Sequence, residues 1–106
     1  MEKITAAITA IGGYVPEDVL TNEMLEKMVD TNDEWIYTRT GIKERRILKD
    51  PNKGSSFLGI EAAKDLIRKT GLDPKKIDLV ILATATPDMP VALTGPYVAS
   101  QIGAVN

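Results

Sequence analysis

The sequence predicts an α/β protein, because segments with strand character alternate with segments of helical periodicity. The clearest strand is the near-continuous apolar run at residues 79–85, Leu-Val-Ile-Leu-Ala-Thr-Ala, which is typical of a parallel strand buried on both faces. The clearest helix spans residues 55–70, where Leu58, Ala62 and Leu66 recur at helical spacing. We therefore expect a partial, mostly buried sheet with at least one right-handed crossover.

The N-terminal part of the chain predicts one strand and one short helix. Residues 4–11 alternate imperfectly between apolar residues and threonine or alanine, and the two glycines that follow end the strand. Thr21 and Asn22 offer side-chain oxygens for the N-terminus of a helix. On that helix Met24 and Met28 are one turn apart, so we expect both in the core.

A second short helix is expected at residues 31–40. Thr31 and Glu34 fit a capping box, in which a hydroxyl and a carboxylate satisfy the free backbone N–H groups of the first turn reciprocally. The glycine that follows suits the left-handed position just past a helix end. Since positions three and four apart are neighbours on a helix, one face is shared by Trp35, Thr38 and Arg39.

The remaining segments continue the alternation of elements. Residues 42–49 are expected to be extended, and a surface loop then leads into the long helix, which Ser55 or Ser56 is expected to cap. A last helix is expected to start near residues 94–96 and to stop at a glycine. Only two strands are evident, so the sheet is expected to be incomplete, and a third strand would begin at Asn106.

Composition limits the classes of protein that this chain can represent. Its 106 residues suffice for one small domain. The absence of cysteine and histidine excludes disulfides, a zinc site of the Cys/His kind and Ser–His–Asp or Cys–His catalysis within these residues. No apolar run reaches the ~18 residues of a membrane span, and the N-terminus leads directly into a strand without a signal peptide. We therefore expect a cytoplasmic protein with no membrane association.

The charge of the chain is unevenly distributed. Residues 1–34 hold eight acidic and two basic residues, whereas residues 35–106 hold seven acidic and eleven basic residues. Much of the positive excess falls in one cluster: Arg39, Lys43, Arg45, Arg46, Lys49 and Lys53. Such a cluster either attracts phosphate or forms a solvated loop. An acidic chain with 5% aromatic residues argues against nucleic acid as the partner.

Trp35 and Arg39 form the most specific pairing in the sequence. An indole and a guanidinium on one helical face suit a flat, anionic ligand such as a nucleotide. By residue type alone, Trp35 would as readily pack in the core, and Arg39 would pair with Glu34 or Glu44. At the end of the second strand, Thr84, Thr86 and Asp88 are expected to shape the loop and the dimer interface. Asp88 is not expected to act as a catalytic acid, since no second titrating group is placed near it.

The stretch around this pairing resembles the N-terminal signature of the β-ketoacyl-acyl carrier protein synthase III family. It covers residues 31–47 and reads Thr-Asn-Asp-Glu-Trp-Ile-Tyr-Thr-Arg-Thr-Gly-Ile-Lys-Glu-Arg-Arg-Ile. Four other stretches agree in the right order: Gly12-Gly-Tyr-Val-Pro16, Thr21-Asn22, Glu61-Ala-Ala63 and Ala83-Thr-Ala-Thr-Pro-Asp88. The resemblance therefore extends over nearly the whole chain.

That resemblance implies a thiolase-like fold with two similar α/β halves in five layers, αβαβα, usually as a homodimer. Members of the family are about three times as long as this chain. Residues 1–106 would form the N-terminal part of the first half-domain, without the regions that carry the family's catalytic cysteine, histidine and asparagine.

The resemblance also implies a reaction, the condensation that initiates bacterial type II fatty-acid synthesis. An active-site cysteine takes an acyl group from acyl-CoA, with acetyl-CoA as the expected donor. Malonyl-acyl carrier protein then decarboxylates and attacks the acyl-cysteine, which gives 3-oxoacyl-acyl carrier protein, CoA and CO2. Coenzyme A is thus a substrate, and no permanently bound cofactor is expected. The 106 residues alone are expected to be inactive.

Three residues match positions at which the family binds CoA. Trp35 corresponds to a tryptophan that stacks on the adenine, Arg39 to an arginine that contacts the phosphates, and Thr31 to a threonine beside the same ligand. No catalytic residue and no metal ligand is expected in this stretch. Two alternatives stay open: a non-catalytic truncated paralogue or CoA-binding module, and a related condensing enzyme of secondary metabolism.

Overall fold

A computed structural model describes residues 3–91 and 94–104. The chain divides into two compact units, one comprising residues 15–52 and the other residues 1–14 together with 53–106. The third strand expected at Asn106 lies outside the described residues. Among the helices that are described, none has the length and apolar character needed to cross a membrane.

The unit of residues 15–52 combines a small β-ribbon with two helices. Strand β1 (Val19–Thr21) pairs antiparallel with strand β2 (Glu44–Arg46), and Leu20 lies opposite Arg45. Helices α1 (Asn22–Glu26) and α2 (Asp33–Thr40) connect the two strands. The extended stretch expected after the second helix is thus confirmed, with β2 at its centre.

Thr21 caps α1 as the sequence predicts. Its hydroxyl accepts a hydrogen bond from the Met24 N–H at 3.3 Å. The helix is only five residues long, however, and Met24 and Met28 are exposed. The prediction that these two methionines belong to the core is wrong in this structure, because so short a helix turns only Asn22 fully inward.

The N-cap of α2 lies one residue later than predicted. The Asn32 side chain accepts a hydrogen bond from the Trp35 N–H at 2.8 Å, so the capping residue is Asn32 and not Thr31. Asparagine caps helices at least as well as threonine, and the extended backbone of Asn32 suits the role. The predicted C-terminal end is confirmed by Gly41, whose φ of 70° is left-handed.

The second unit is built on two packed helices, α3 (Ser55–Thr70) and α4 (Thr94–Ile102). Ile60 and Val98 form its buried apolar contact region. A Cβ added at Gly59 would lie 3.2 Å from Leu82 Cδ1 and 3.6 Å from Val98. The absence of a side chain at Gly59 therefore lets Leu82 and Val98 pack closely against α3.

A distant aspartate, and neither of the predicted serines, caps α3. The N-cap position is Gly54, which has no side chain for the task. Asp88 instead accepts a hydrogen bond from the Ser56 N–H at 2.9 Å, and its other oxygen accepts one from the Ser56 hydroxyl. The prediction that Ser55 or Ser56 provides the cap is wrong, because a carboxylate accepts N–H bonds more strongly than a hydroxyl. Asp88 shapes its loop, as expected.

The two segments predicted as sheet strands form no ladder in the described residues. Residues 4–11 and 79–85 lie outside the observed strands, and Ile4, Leu79 and Ile81 are exposed. Burial of residues 79–85 on both faces is therefore not observed. The physical reason is that a strand exists only with a hydrogen-bonded neighbour, and neither segment has one in the part of the chain that is described.

Candidate functional site

Trp35 and Arg39 lie against each other on the surface of α2. The Arg39 guanidinium carbon is 4.7 Å from the centroid of the indole ring, within the range of a cation–π contact. Trp35 is 53% exposed, so a large part of its ring is open to solvent. The helical spacing of four residues thus brings the two side chains together as predicted.

Thr31 lies beside the same indole. A surface depression of about 250 Å³ is lined by Asp30, Thr31, Asn32 and Trp35. Because Asn32 provides the helix cap, the Thr31 hydroxyl is not needed for it. Enclosed pockets for drug-sized ligands measure roughly 300–1,000 Å³, so this open depression would accommodate only part of a large ligand.

The third residue expected on this face, Thr38, is engaged within its own helix. Its hydroxyl donates to the Glu34 carbonyl at 2.7 Å and to the Trp35 carbonyl at 3.3 Å. Such a bond leaves the hydroxyl as an acceptor only. Thr38 therefore supports the helix turn that carries Trp35 more directly than it offers a contact to a ligand.

Most cations of the predicted basic cluster are committed to contacts within the chain. Arg45 and Arg46 donate to backbone carbonyls of residues 16, 17 and 20. Lys43 pairs with Asp33 at 3.3 Å, and Lys49 pairs with Asp18 at 3.0 Å. These contacts give Arg45 and Arg46 a structural role, whereas Arg39 lies against Trp35, which lines the depression.

Arg39 makes no ion pair among residues 3–91 and 94–104. The carboxylates of Glu34 and Glu44, its two predicted alternative partners, do not bind it. Its one described contact is the ring of Trp35. The guanidinium group carries five N–H donors in a fixed fork geometry that suits phosphate oxygens.

Asn22, expected from the sequence only as a possible cap of α1, has another role, because Thr21 provides that cap. Among residues 3–91 and 94–104 it is the largest fully buried side chain, with 1% of its surface exposed. Its amide nitrogen donates to Asp33 Oδ1 at 2.8 Å and to the Ile42 carbonyl at 2.7 Å, and its oxygen accepts from Arg45 Nη2 at 2.7 Å. No periodicity marks such a residue, because its partners are 11 to 23 positions away.

Three of the described aspartates, Asp33, Asp65 and Asp88, have pKa values lowered by their hydrogen bonds. The amide of Asn22 lowers the pKa of Asp33 below its ordinary value; burial opposes this effect, and Lys43 adds to it. The hydroxyl and then the N–H of Ser56 lower the pKa of Asp88. A carboxyl held ionised in this way is a poor general acid near neutral pH, which agrees with the loop-shaping role expected of Asp88.

No group of three or more acidic side chains that could hold a metal ion occurs in the described parts of the chain.

No protein-family model matches the sequence. Individual relatives match it closely over its whole length. The chain is 63% identical over 103 residues to a β-ketoacyl-(acyl-carrier-protein) synthase III of Porphyromonas gingivalis, covering 97% of the chain and 31% of that protein. It is 55% identical over 106 residues to a β-ketoacyl-(acyl-carrier-protein) synthase III 2 of Bacteroides thetaiotaomicron, covering 100% of the chain and 32% of that protein.

Solved structures agree with these relatives. The crystal structure of 3-oxoacyl-(acyl-carrier-protein) synthase III from Aquifex aeolicus matches with a TM-score of 0.81 at 48% identity, over 90% of this chain and 30% of that one. The corresponding enzyme of Thermus thermophilus matches with a TM-score of 0.83 at 44% identity, over 92% of this chain and 30% of that one.

The fold is therefore that of the thiolase-like condensing enzymes, as the resemblance predicts. Within that class, the chain belongs to the β-ketoacyl-(acyl-carrier-protein) synthase III family. It spans about a third of the length of the curated relatives that it matches.

Proposed function

We propose that the whole protein catalyses the initiating condensation of type II fatty-acid synthesis, as a cytoplasmic homodimer. It would take an acyl group, by default acetyl, from acyl-CoA and condense it with malonyl-acyl carrier protein. The products are 3-oxoacyl-acyl carrier protein, CoA and CO2. Support comes from relatives that are 50–63% identical and bear the name of this synthase.

In this proposal, residues 15–52 contribute the binding site for the nucleotide end of CoA. The observation that carries it is the half-exposed Trp35 ring with Arg39 stacked on it at 4.7 Å. The free edge and surface of the indole offer a stacking platform for adenine, and the N–H groups of Arg39 suit phosphate oxygens. Thr31, at the rim of the adjoining depression, offers a hydroxyl to the same ligand.

The acyl-transfer step itself needs residues outside this stretch. A thiolate would attack the thioester carbonyl, and CoA would leave as the thiol, so that the acyl group stays on the enzyme. The 106 residues contain neither cysteine nor histidine. They would therefore hold the nucleotide of the substrate while the thioester reacts elsewhere in the whole protein.

Substitution of Trp35 tests the proposed site. In the whole protein, Trp35→Ala should raise the KM for acetyl-CoA by about 5- to 150-fold, because stacking of a base on an aromatic ring contributes about 1–3 kcal/mol. The KM for acetyl-pantetheine, which lacks the nucleotide, should not change. Steady-state kinetics with both thioesters and a fixed concentration of malonyl-acyl carrier protein provides the comparison.

Tyr37→Ala is the matched control for that experiment. Tyr37 is also an aromatic residue of α2 that is about half exposed, but its ring contacts Lys43 and lies away from the depression. We expect the KM values of Tyr37→Ala for acetyl-CoA and for acetyl-pantetheine to stay at the wild-type level. An unchanged KM for acetyl-CoA in Trp35→Ala, or an equal rise for both thioesters, would contradict the proposed nucleotide site.

A second candidate function is a priming condensation in polyketide synthesis. The crystal structure of the priming β-ketosynthase from the R1128 polyketide pathway matches 90% of this chain with a TM-score of 0.81 at 33% identity. Identity to the fatty-acid enzymes is higher, which favours the first proposal. Assays of condensation with a fatty-acid carrier protein distinguish the fatty-acid function from the polyketide function. Binding of CoA without any condensation would favour a non-catalytic module.

A further inference from the structure

We propose that Asn22 is a positioning residue for the nucleotide site, through the buried contact that it makes with the start of α2. This inference rests on the proposed function of Trp35 and Arg39. The juxtaposition that carries it is the side-chain amide of Asn22, 1% exposed, between Asp33, the Ile42 carbonyl and Arg45.

The direction of the Asn22 amide follows from its three partners. Its NH2 group faces two acceptors, the carboxylate of Asp33 and the carbonyl of Ile42, while its oxygen faces the Arg45 guanidinium. The reverse orientation would set oxygen against oxygen and donor against donor. Both donors and the acceptor are therefore used, and no other small side chain offers this combination.

The contact holds the N-terminal end of α2 in place. Asp33 is the first residue of α2, so its bond to Asn22 fixes the turn from which Trp35 projects. The same carboxylate accepts from Lys43 at 3.3 Å, and the Asp33 N–H donates to Glu26 at 2.6 Å. Both ends of α1 and the residue that precedes β2 thereby contact the first residue of α2.

Arg45 ties this contact to the β-ribbon. One guanidinium nitrogen donates to the Asn22 oxygen at 2.7 Å, and another donates to the Leu20 carbonyl on the facing strand at 3.1 Å. The Asn22 backbone N–H also donates to the Lys43 carbonyl at 3.1 Å. Asn22 is thus held by the β-ribbon through Arg45, and it in turn holds Asp33 at the start of the helix that carries Trp35.

Asn22→Asp tests the inference with almost no change in volume. The substitution places a second carboxylate against Asp33 and removes both N–H donors, while the acceptor for Arg45 is retained. In the whole protein we expect a roughly tenfold rise in the KM for acetyl-CoA, as for the loss of a hydrogen bond to a charged group. The kcat and the KM for acetyl-pantetheine should stay at the wild-type level.

A double variant distinguishes positioning from general destabilisation. If Asn22 acts through Trp35, the variant N22D/W35A should have a KM for acetyl-CoA within about twofold of that of W35A alone. Arg45→Lys serves as a milder second variant should N22D fail to fold. It keeps the positive charge and the buried amide, and we expect a smaller rise in the same KM.

The outcomes separate the two proposals. Suppose that the KM for acetyl-CoA rises in W35A but is unchanged in folded N22D and in R45K. That result overturns the positioning role of Asn22 and leaves the proposed nucleotide site intact. The positioning role is also overturned if the two substitutions raise the KM for acetyl-CoA additively in N22D/W35A. The same holds if N22D raises the KM for acetyl-pantetheine as much as that for acetyl-CoA. An unchanged KM in W35A shows that the nucleotide site is wrong, and the positioning role falls with it.

Discussion

At the scale of single residues, Trp35 gives up burial that its side chain would ordinarily gain. A tryptophan in a core buries up to about 250 Å², whereas the Trp35 ring stays half exposed with Arg39 stacked on it. A cation–π contact at such an exposed site stabilises the fold by only about 0.5–1 kcal/mol. Adenine stacked on this ring, as proposed above, would supply apolar contact that α2 itself does not provide.

Arg39 provides the prediction at this scale. In the whole protein, Arg39→Ala should raise the KM for acetyl-CoA by about 10- to 150-fold, because hydrogen bonds to charged groups contribute about 1.5–3 kcal/mol. Arg39→Lys should recover part of the loss, since it keeps the charge without the planar fork. Steady-state kinetics at low and high salt measures both effects.

Lys49→Ala is the control for the loss of one positive charge from the same cluster. Lys49 is paired with Asp18, so its removal should leave the KM for acetyl-CoA unchanged. The wild-type KM should also rise more steeply with salt than that of Arg39→Ala, because screening weakens contacts between charges. Equal KM values in Arg39→Ala and Lys49→Ala would rule out a phosphate contact by Arg39.

Residue-level reasoning from sequence succeeded where the partners are close in the chain. The spacing of Trp35 and Arg39 predicted their contact, and Gly41 has the predicted left-handed conformation. The capping role predicted for Thr31 was wrong, because the helix begins one residue later and Asn32 takes the N-cap position by accepting from the Trp35 N–H. Residue-level reasoning could not find the role of Asn22, since a buried amide is defined by partners that only the folded backbone brings together.

At the scale of elements, α3 depends on a cap supplied by a different segment. Gly54 cannot satisfy the N–H groups of the first turn, and Asp88 does so from the far loop. A Cβ added at Gly54 would lie 2.7 Å from an oxygen of Asp88. The glycine at the N-cap therefore leaves space for the carboxylate that replaces its missing side chain.

The prediction at this scale concerns Asp88→Ala. At pH 7 it should lower the free energy of unfolding by about 1 kcal/mol, the typical effect of losing an N-cap. The pKa of Asp88 is lowered by Ser56, so the carboxylate stabilises the folded state fully above the unfolded pKa near 3.9 and loses that effect as pH falls through the folded value. The difference between variant and wild type should therefore shrink below about pH 4.

Denaturant unfolding of the whole protein between pH 3 and pH 7 measures that difference. Asp88→Asn is the matched variant, because its amide oxygen can still accept from the Ser56 N–H but carries no charge. The free energy of unfolding of Asp88→Asn should lie between that of the wild type and that of Asp88→Ala. It should depend on pH less steeply than that of the wild type. A constant difference between Asp88→Ala and wild type across this range would argue against the ionised cap.

Helices, which periodicity and terminal glycines mark in the sequence, were predicted well. Strands, which need a hydrogen-bonded neighbouring strand, were not. Helices α2, α3 and α4 occur where periodicity and terminal glycines place them. The apolar run at residues 79–85 has the composition of a buried strand, but composition supplies no hydrogen-bonded neighbour. A signal that is correct for a complete sheet therefore does not produce a strand in this structure.

At the scale of the whole molecule, the two segments with strand composition leave large apolar side chains uncovered. Ile4 is 97% exposed, Ile8 87%, Leu79 74% and Ile81 82%. Isolated apolar residues are common on protein surfaces, but several large ones within an unpaired segment favour association. The relatives that match this chain are about three times as long and so hold further segments that are available to cover such side chains.

The isolated 106-residue chain is therefore expected to self-associate. Purified alone, it should elute as a heterogeneous, oversized species in size-exclusion chromatography and should unfold without a sharp transition. Replacing Ile8 and Ile81 by threonine, which keeps strand propensity but removes apolar surface, should reduce the oversized fraction. A monodisperse monomer with one cooperative thermal transition would contradict the expectation.

The cap of α3 has a consequence for the order in which the chain can fold during its synthesis. Asp88 lies 32 residues after Ser56, so the ribosome releases the whole of α3 before the residue that completes its first turn. Until then, the N–H groups at the start of the helix are bonded to water. The nascent helix therefore frays at the end where it begins, and it becomes anchored only when the loop beyond residue 85 has emerged.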